Sequence, residues 1–145
     1  MDTTKRYYLA GPMSGVAYHN FPLFEKVAEG LRADGYDVVS PAELDNNDLY
    51  EAAMNDPTGD IDKCDWTWGD FLARDVKIVA DQVDGIICLP GWEKSRGACL
   101  ETFVARLCGK PVYRLMGKDQ VEELSLEELN RAHYRVQLGV ANENS

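Results

Sequence analysis

The stretch that most constrains this chain is residues 84–112, DGIICLPGWEKSRGACLETFVARLCGKPV. An apolar run, residues 86–89, stops at Pro90-Gly91, and the small-residue turn Ser95-Arg96-Gly97-Ala98 opens a segment with helical periodicity. That order predicts a buried strand that delivers the chain to a site at its carboxyl end, where a helix starts. Glu101 falls in the first turns of this helix, with Val104, Ala105 and Leu107 expected on the buried side. A carboxylate beside a core is costly unless it opens into a cleft or is held by partners. The plainer alternative is a solvated Glu favoured by the helix dipole.

The remaining segments alternate in the same way. Residues 6–10, RYYLA, form a short β-prone run broken by Gly11-Pro12-Met13-Ser14-Gly15, a strand–loop–helix arrangement that can wrap a phosphate or a sugar or can simply turn the chain. A helix is expected from near Asn20, with Pro22 in its first turn, Phe24, Val27, Ala28 and Leu31 on one face, and Gly35 at its end. Residues 36–39 read as a second strand, closed by Ser40-Pro41. A further helix over residues 68–82 places Leu72, Val76, Val79 and Val83 on its apolar face, with Asp75 beside that stripe. After the strand at 85–89 and the helix to Leu107, Gly109-Lys110-Pro111 turns into a fourth strand at 112–116. A last helix, around 125–139, starts at Ser125 with Glu128 as its capping-box partner and with Leu126, Leu129 and Val136 as its apolar spacing. The tail 142–145 is expected to fray.

Residues 44–67 break this rhythm. The segment is acidic and turn-rich, with aromatics at Tyr50 and Trp66 and with Trp68 just beyond it; either a binding loop or a surface insertion fits, and residues 49–54 suit a short helix. The whole chain, 1–145, therefore reads as a single α/β domain. Its expected core is a doubly wound parallel sheet of four to five strands with helices on both faces, Rossmann- or flavodoxin-like. In such folds ligands lie across the carboxyl ends of the strands, an edge that here gathers residues 11–15, 40–43 and 90–101.

Charge and cysteine usage narrow the chemistry. Fifteen basic residues against 25 acidic ones leave a formal charge of −10, the wrong sign for a partner that is a nucleic-acid polymer, while a small anionic ligand held by local amides stays open. Cys64, Cys88, Cys99 and Cys108 show no CxxC spacing, and with two histidines in the chain no zinc site is expected. They read as small buried hydrophobes in a reducing compartment. No stretch has a signal-peptide pattern or the length of a membrane span, so the expected location is cytoplasmic, without a membrane partner.

YLAGPMSG near the start, Arg74-Asp75 on a helix, LPGWEKSRGACLE and GKPV together resemble the nucleoside 2-deoxyribosyltransferase-like superfamily. That group contains deoxyribosyltransferases and nucleoside 5′-monophosphate N-glycosidases, and the wording here is closest to uncharacterised phage and bacterial relatives. The resemblance covers most of residues 6–116, with Asp75, Ser95 and Glu101 standing 20 and 6 residues apart. It implies cleavage of an N-glycosidic bond through a covalent glycosyl-enzyme, with no metal and no organic cofactor. Glu101 matches the carboxylate nucleophile, Asp75 the acid near the nucleobase, and Tyr8 a tyrosine that hydrogen-bonds the nucleophile. For Tyr8 the alternative is simple packing in the strand.

Ser95 matches the position that is Asp in enzymes of free nucleosides and Ser in those that hold a 5′-phosphate. With Gly97, Ser14 and Gly15, and with Gly11 and Met13 in the same loop, it favours a nucleotide. Lys94 and Arg96 either add charge there or are solvated surface cations. The loop lacks a basic residue that some phosphate-binding members carry, which argues the other way. Trp66, Trp68 or Trp92 either stacks on a base or packs internally. The expected activity is hydrolysis of a (deoxy)nucleoside 5′-monophosphate; the alternatives are base exchange by a deoxyribosyltransferase and a non-catalytic nucleotide-binding module. The resemblance also implies a homo-oligomer.

Overall fold

The computed structural model describes residues 1–44, 47–60, 66–118 and 120–137, with the backbone alone described at 47–50 and 137. The run RYYLA forms strand β1 (Arg6–Ala10). Helix α1 (Phe21–Ala33) follows, burying Phe21, Phe24, Val27, Ala28 and Leu31, with Pro22 in the first turn where its missing N–H costs nothing. Strand β2 (Asp37–Val39) and helix α2 (Asn47–Met54) come next. Helix α3 (Trp68–Asp81) opens with a reciprocal capping box: Thr67 Oγ1 accepts from the Asp70 amide, and the Asp70 carboxylate accepts from the Thr67 amide. Strand β3 (Gly85–Cys88), helix α4 (Arg96–Leu107), strands β4 (Val112–Leu115) and β5 (Val121–Glu123), and helix α5 (Leu126–Gln137) complete the order.

The sheet runs β2-β1-β3-β4-β5, parallel except for β5, which is antiparallel to β4 at the edge. This is the flavodoxin-like strand order, with its switch point between β1 and β3. Alternation along the central strands feeds two cores. Tyr8, Ala10, Ile86 and Cys88 face the side covered by α3, α4 and α5, and Tyr7, Leu9, Ile87 and Leu89 face the side covered by α1. The expected doubly wound α/β architecture is the one observed.

Several details differ from the sequence reading. The fifth strand, VEE, is short, polar and at the edge, so it carries no apolar run to announce it. Leu107 is 72% exposed and Leu126 is 62% exposed, because each lies at a helix end that overhangs the core. Cys88 and Cys99 are buried, but Cys108, just past the end of α4, is exposed; Cys64 lies outside the described residues, as do positions 138–139 and the tail. On α3 the inward face is rotated: Asp75, Ile78 and Val79 are buried, while Leu72 and Val76 are half-buried. A search for apolar spacing passes over a stripe whose centre is a carboxylate. At α5 the Glu128 amide donates to Ser125 Oγ as expected, but the Glu128 carboxylate lies 3.6 Å from Arg114. Among the described residues, no helix is long and apolar enough to cross a membrane.

Candidate functional site

The carboxyl ends of β1 and β3 open into a cleft of about 880 Å³, counting the solvent at its mouth. The strand ends approach closely here. A Cβ on Gly11 would lie 2.9 Å from that of Leu89, so a side chain at position 11 would push the two strands apart. Tyr8 rises from the sheet, and Glu101 reaches down from the second turn of α4. Tyr8 Oη donates to Glu101 Oε2 at 2.5 Å, and both side chains are buried. Glu101 is therefore not a solvated helix residue; it is held by Tyr8 at the floor of an open pocket.

Its surroundings set its protonation. Burial, and then the neighbouring Asp75 charge, push the Glu101 carboxyl well above the usual carboxylate range, while the Tyr8 hydroxyl and the Arg74 guanidinium pull the other way. Burial and the two carboxylates push the Tyr8 phenol well above its ordinary value, so it stays protonated and donates. Asp75, on the wall formed by α3, accepts from Arg74 Nε at 2.8 Å. Arg74 in turn lies 5.6 Å from the Trp66 ring centroid and 5.4 Å from that of Phe71, which fixes its fork by stacking. Asp75 and Glu101 thus share one cleft, with the Arg74 guanidinium alongside.

At the start of α4, Ser95 is fully buried and its Oγ accepts from the Ala98 amide at 3.1 Å. The serine is an N-cap, and its hydroxyl hydrogen remains available to donate. Gly97 also lines the cleft, among first-turn amides that have no carbonyl to bond within the helix. Such a group of donors suits an anion.

Of the residues singled out from sequence, Tyr8, Gly11, Met13, Ser14, Asp75, Ser95, Gly97 and Glu101 all line this one cleft. Gly15 does not; its amide donates to the Gly59 carbonyl at 2.9 Å and ties two loops together. Trp92 does not either: it is buried in the core between the sheet and α3–α5. Trp68 lines the cleft, and the Arg96 guanidinium lies 4.8 Å from its ring centroid. Trp66 packs on Phe71 and Arg74, and Lys94 is exposed.

The sequence reading missed His19, Asp56 and Asp60, which line the same cleft. His19 Nε2 lies 3.3 Å from Asp56 Oδ2, and Asp56 also accepts from the Thr58 amide and hydroxyl and from the Asp60 amide. Tyr18, His19 and Asn20 all adopt left-handed backbone, at φ 55°, 54° and 62°. For non-glycine residues this costs about 1–3 kcal/mol each. The segment is held by Tyr18 N–H donating to the Asp56 carbonyl and by Asn20 Nδ2 donating to the Pro12 carbonyl, both at 2.9 Å. Gly59 sits against it so closely that a Cβ would lie 2.0 Å from the Val16 carbonyl oxygen. Nothing in the local spacing pairs positions 19 and 56; the one available signal was a histidine in the turn after the first strand.

The site is thus a carboxylate-bearing cleft at the switch point of a mostly parallel α/β sheet. Residues 5–68 and 66–114 match the family described as Domain of unknown function (DUF4406), and the chain belongs to that family. The two matched segments contain every cleft residue named above, and α5 lies outside them. No curated protein matches the chain.

Proposed function

We propose that this protein breaks the N-glycosidic bond of a (deoxy)nucleoside 5′-monophosphate, as the resemblance to nucleoside 2-deoxyribosyltransferase-like enzymes implies. The observation that carries this reading is the buried Tyr8–Glu101 hydrogen bond at the floor of a cleft that also holds Asp75. In the first step an ionised Glu101 oxygen attacks C1′ of the sugar. The C1′–N bond breaks, its electron pair leaves with the base, and the base takes the one proton that the Glu101–Asp75 pair holds, which resides on Asp75 when Glu101 is the ionised partner. The developing oxocarbenium charge is stabilised by the same carboxylate that captures it. In the second step water attacks C1′, the Glu101 carboxylate departs, and Asp75 takes the proton from the water. Ser95 Oγ and the amides at the start of α4 would hold the 5′-phosphate, and Trp68 and Phe71 offer flat faces for the base.

The test is incubation with each 2′-deoxynucleoside 5′-monophosphate, alone and with an excess of a different free base. Free base with deoxyribose 5-phosphate is the expected product. A mixed nucleotide would instead identify a base-exchanging transferase, and saturable binding without turnover would identify a binding module. Glu101→Ala should lose turnover and keep binding.

A further inference from the structure

We propose that His19, held by Asp56, is a ligand-recognition residue of the cleft, its imidazole accepting through Nδ1 a hydrogen bond from an O–H or N–H of the bound molecule. The inference rests on the nucleotide reading for its probe. His19 lines the cleft that contains Tyr8 and Glu101, but it arrives on the loop after β1. Among the described residues, Asp56 is the hydrogen-bond partner of its ring, at Nε2. With a carboxylate oxygen facing Nε2, the tautomer that fits carries its hydrogen on Nε2, and in that tautomer Nδ1 is the acceptor. Asp56 is itself fixed by the Thr58 amide and hydroxyl and by the Asp60 amide, so the imidazole is braced against a rigid group.

The backbone supports the same reading. Three consecutive left-handed residues, the Asn20–Pro12 and Tyr18–Asp56 bonds and the Gly59 contact all serve to present position 19 at this edge. Strain kept in place by that many contacts is the pattern of a positioned group rather than of a passing loop. Glu101 accepts from Tyr8, Asp75 from Arg74 and Ser95 from Ala98, so each of these acceptors is already oriented by a protein donor, and His19 Nδ1 adds one from a separate loop.

The chain has two histidines, so long-range proton–nitrogen NMR on histidine-labelled full-length protein resolves both rings, with His19→Gln assigning the signals. The expected result is the Nε2–H tautomer of His19 in the free protein and a hydrogen-bonded Nδ1 on saturation with 2′-deoxynucleoside 5′-monophosphates. His19→Gln should raise KM, or Kd measured in the Glu101→Ala background, about tenfold, with kcat within about threefold and Tm unchanged. A 2′,3′-dideoxynucleotide separates the two donors: if the sugar hydroxyl is the partner, wild type loses on that probe what His19→Gln loses, and otherwise the loss follows the base. An Nδ1–H tautomer overturns the inference. So does an unchanged KM in His19→Gln beside an active wild type, in which case the nucleotide reading stands. A wild type that neither binds nor cleaves any nucleotide removes both.

Discussion

Tyr8 and Glu101 are 93 residues apart in the chain and share a 2.5 Å hydrogen bond in the buried floor of the cleft. The direction of that bond is set by chemistry: the phenol is held protonated by its burial and by two nearby carboxylates, so it donates. The bond therefore favours the ionised form of Glu101, the form a nucleophile requires, against the burial that opposes it. Tyr8→Phe is expected to fold, to lose about 1–3 kcal/mol of stability by leaving a buried oxygen without its donor, and to lower kcat roughly 10- to 100-fold. Denaturant unfolding and steady-state kinetics on one preparation check both.

Activity should fall on acidification in a range higher than that of an ordinary glutamate. Glu101 must be ionised to attack, and its pKa is raised by burial and by Asp75. The acid limb of kcat/KM is expected above pH ~4.5, and in Tyr8→Phe, which lacks the donor, it should move higher still. A limb at or below the usual glutamate value would remove this account of the pocket.

The same shift makes Glu101 a destabilising residue at neutral pH. A carboxyl whose folded pKa is raised contributes stability that is complete below its unfolded pKa and is lost as pH rises through the folded value. Glu101→Gln is thus expected to be more stable than wild type at pH 7, with the gain vanishing below pH ~4. Thermal unfolding of the pair across that range measures it.

His133 should act in the opposite sense. Its ring accepts from Arg106 through Nδ1 at 2.8 Å and lies 2.9 Å from Thr102 Oγ1, whose hydroxyl donates to the Cys99 carbonyl. Burial and the Arg106 charge push its pKa down from 6.5 to about 4. A base depressed in the folded state contributes stability present above its unfolded pKa and lost as pH falls through the folded one, here between pH 6.5 and about 4. The loss should be on the order of 2 kcal/mol, and His133→Gln should flatten it relative to wild type. Equal pH slopes for the two proteins would contradict the assignment.

Much of the frame was legible before folding, because it rests on local rules. Phe24, Val27, Ala28 and Leu31 repeat at helical spacing, and residues 86–89 are apolar without interruption; both ended up where their periodicity put them. Glu101, Asp75, Ser95 and Tyr8 were drawn to one edge by topology, since parallel strands all deliver their carboxyl ends to the same side. Other features were not legible. Trp92 and Trp68 are both tryptophans near turns, yet one is core and the other lines the cleft, a difference made by the direction each turn gives the side chain. Asp75 was recognisable as a candidate, but not as the centre of the buried face of α3.

The amino-acid order by itself determined the α/β class, the succession of strands and helices, and the carboxylates that could meet at the sheet's edge, because periodicity and turn chemistry act over a few residues. Only the tertiary structure decided that Tyr8 is the donor to Glu101, that Arg74 is stacked beside Asp75, and that His19 meets Asp56 across two loops. Those pairings depend on distances between segments far apart in the chain, and such distances come into being only when the sheet and its helices exclude water together.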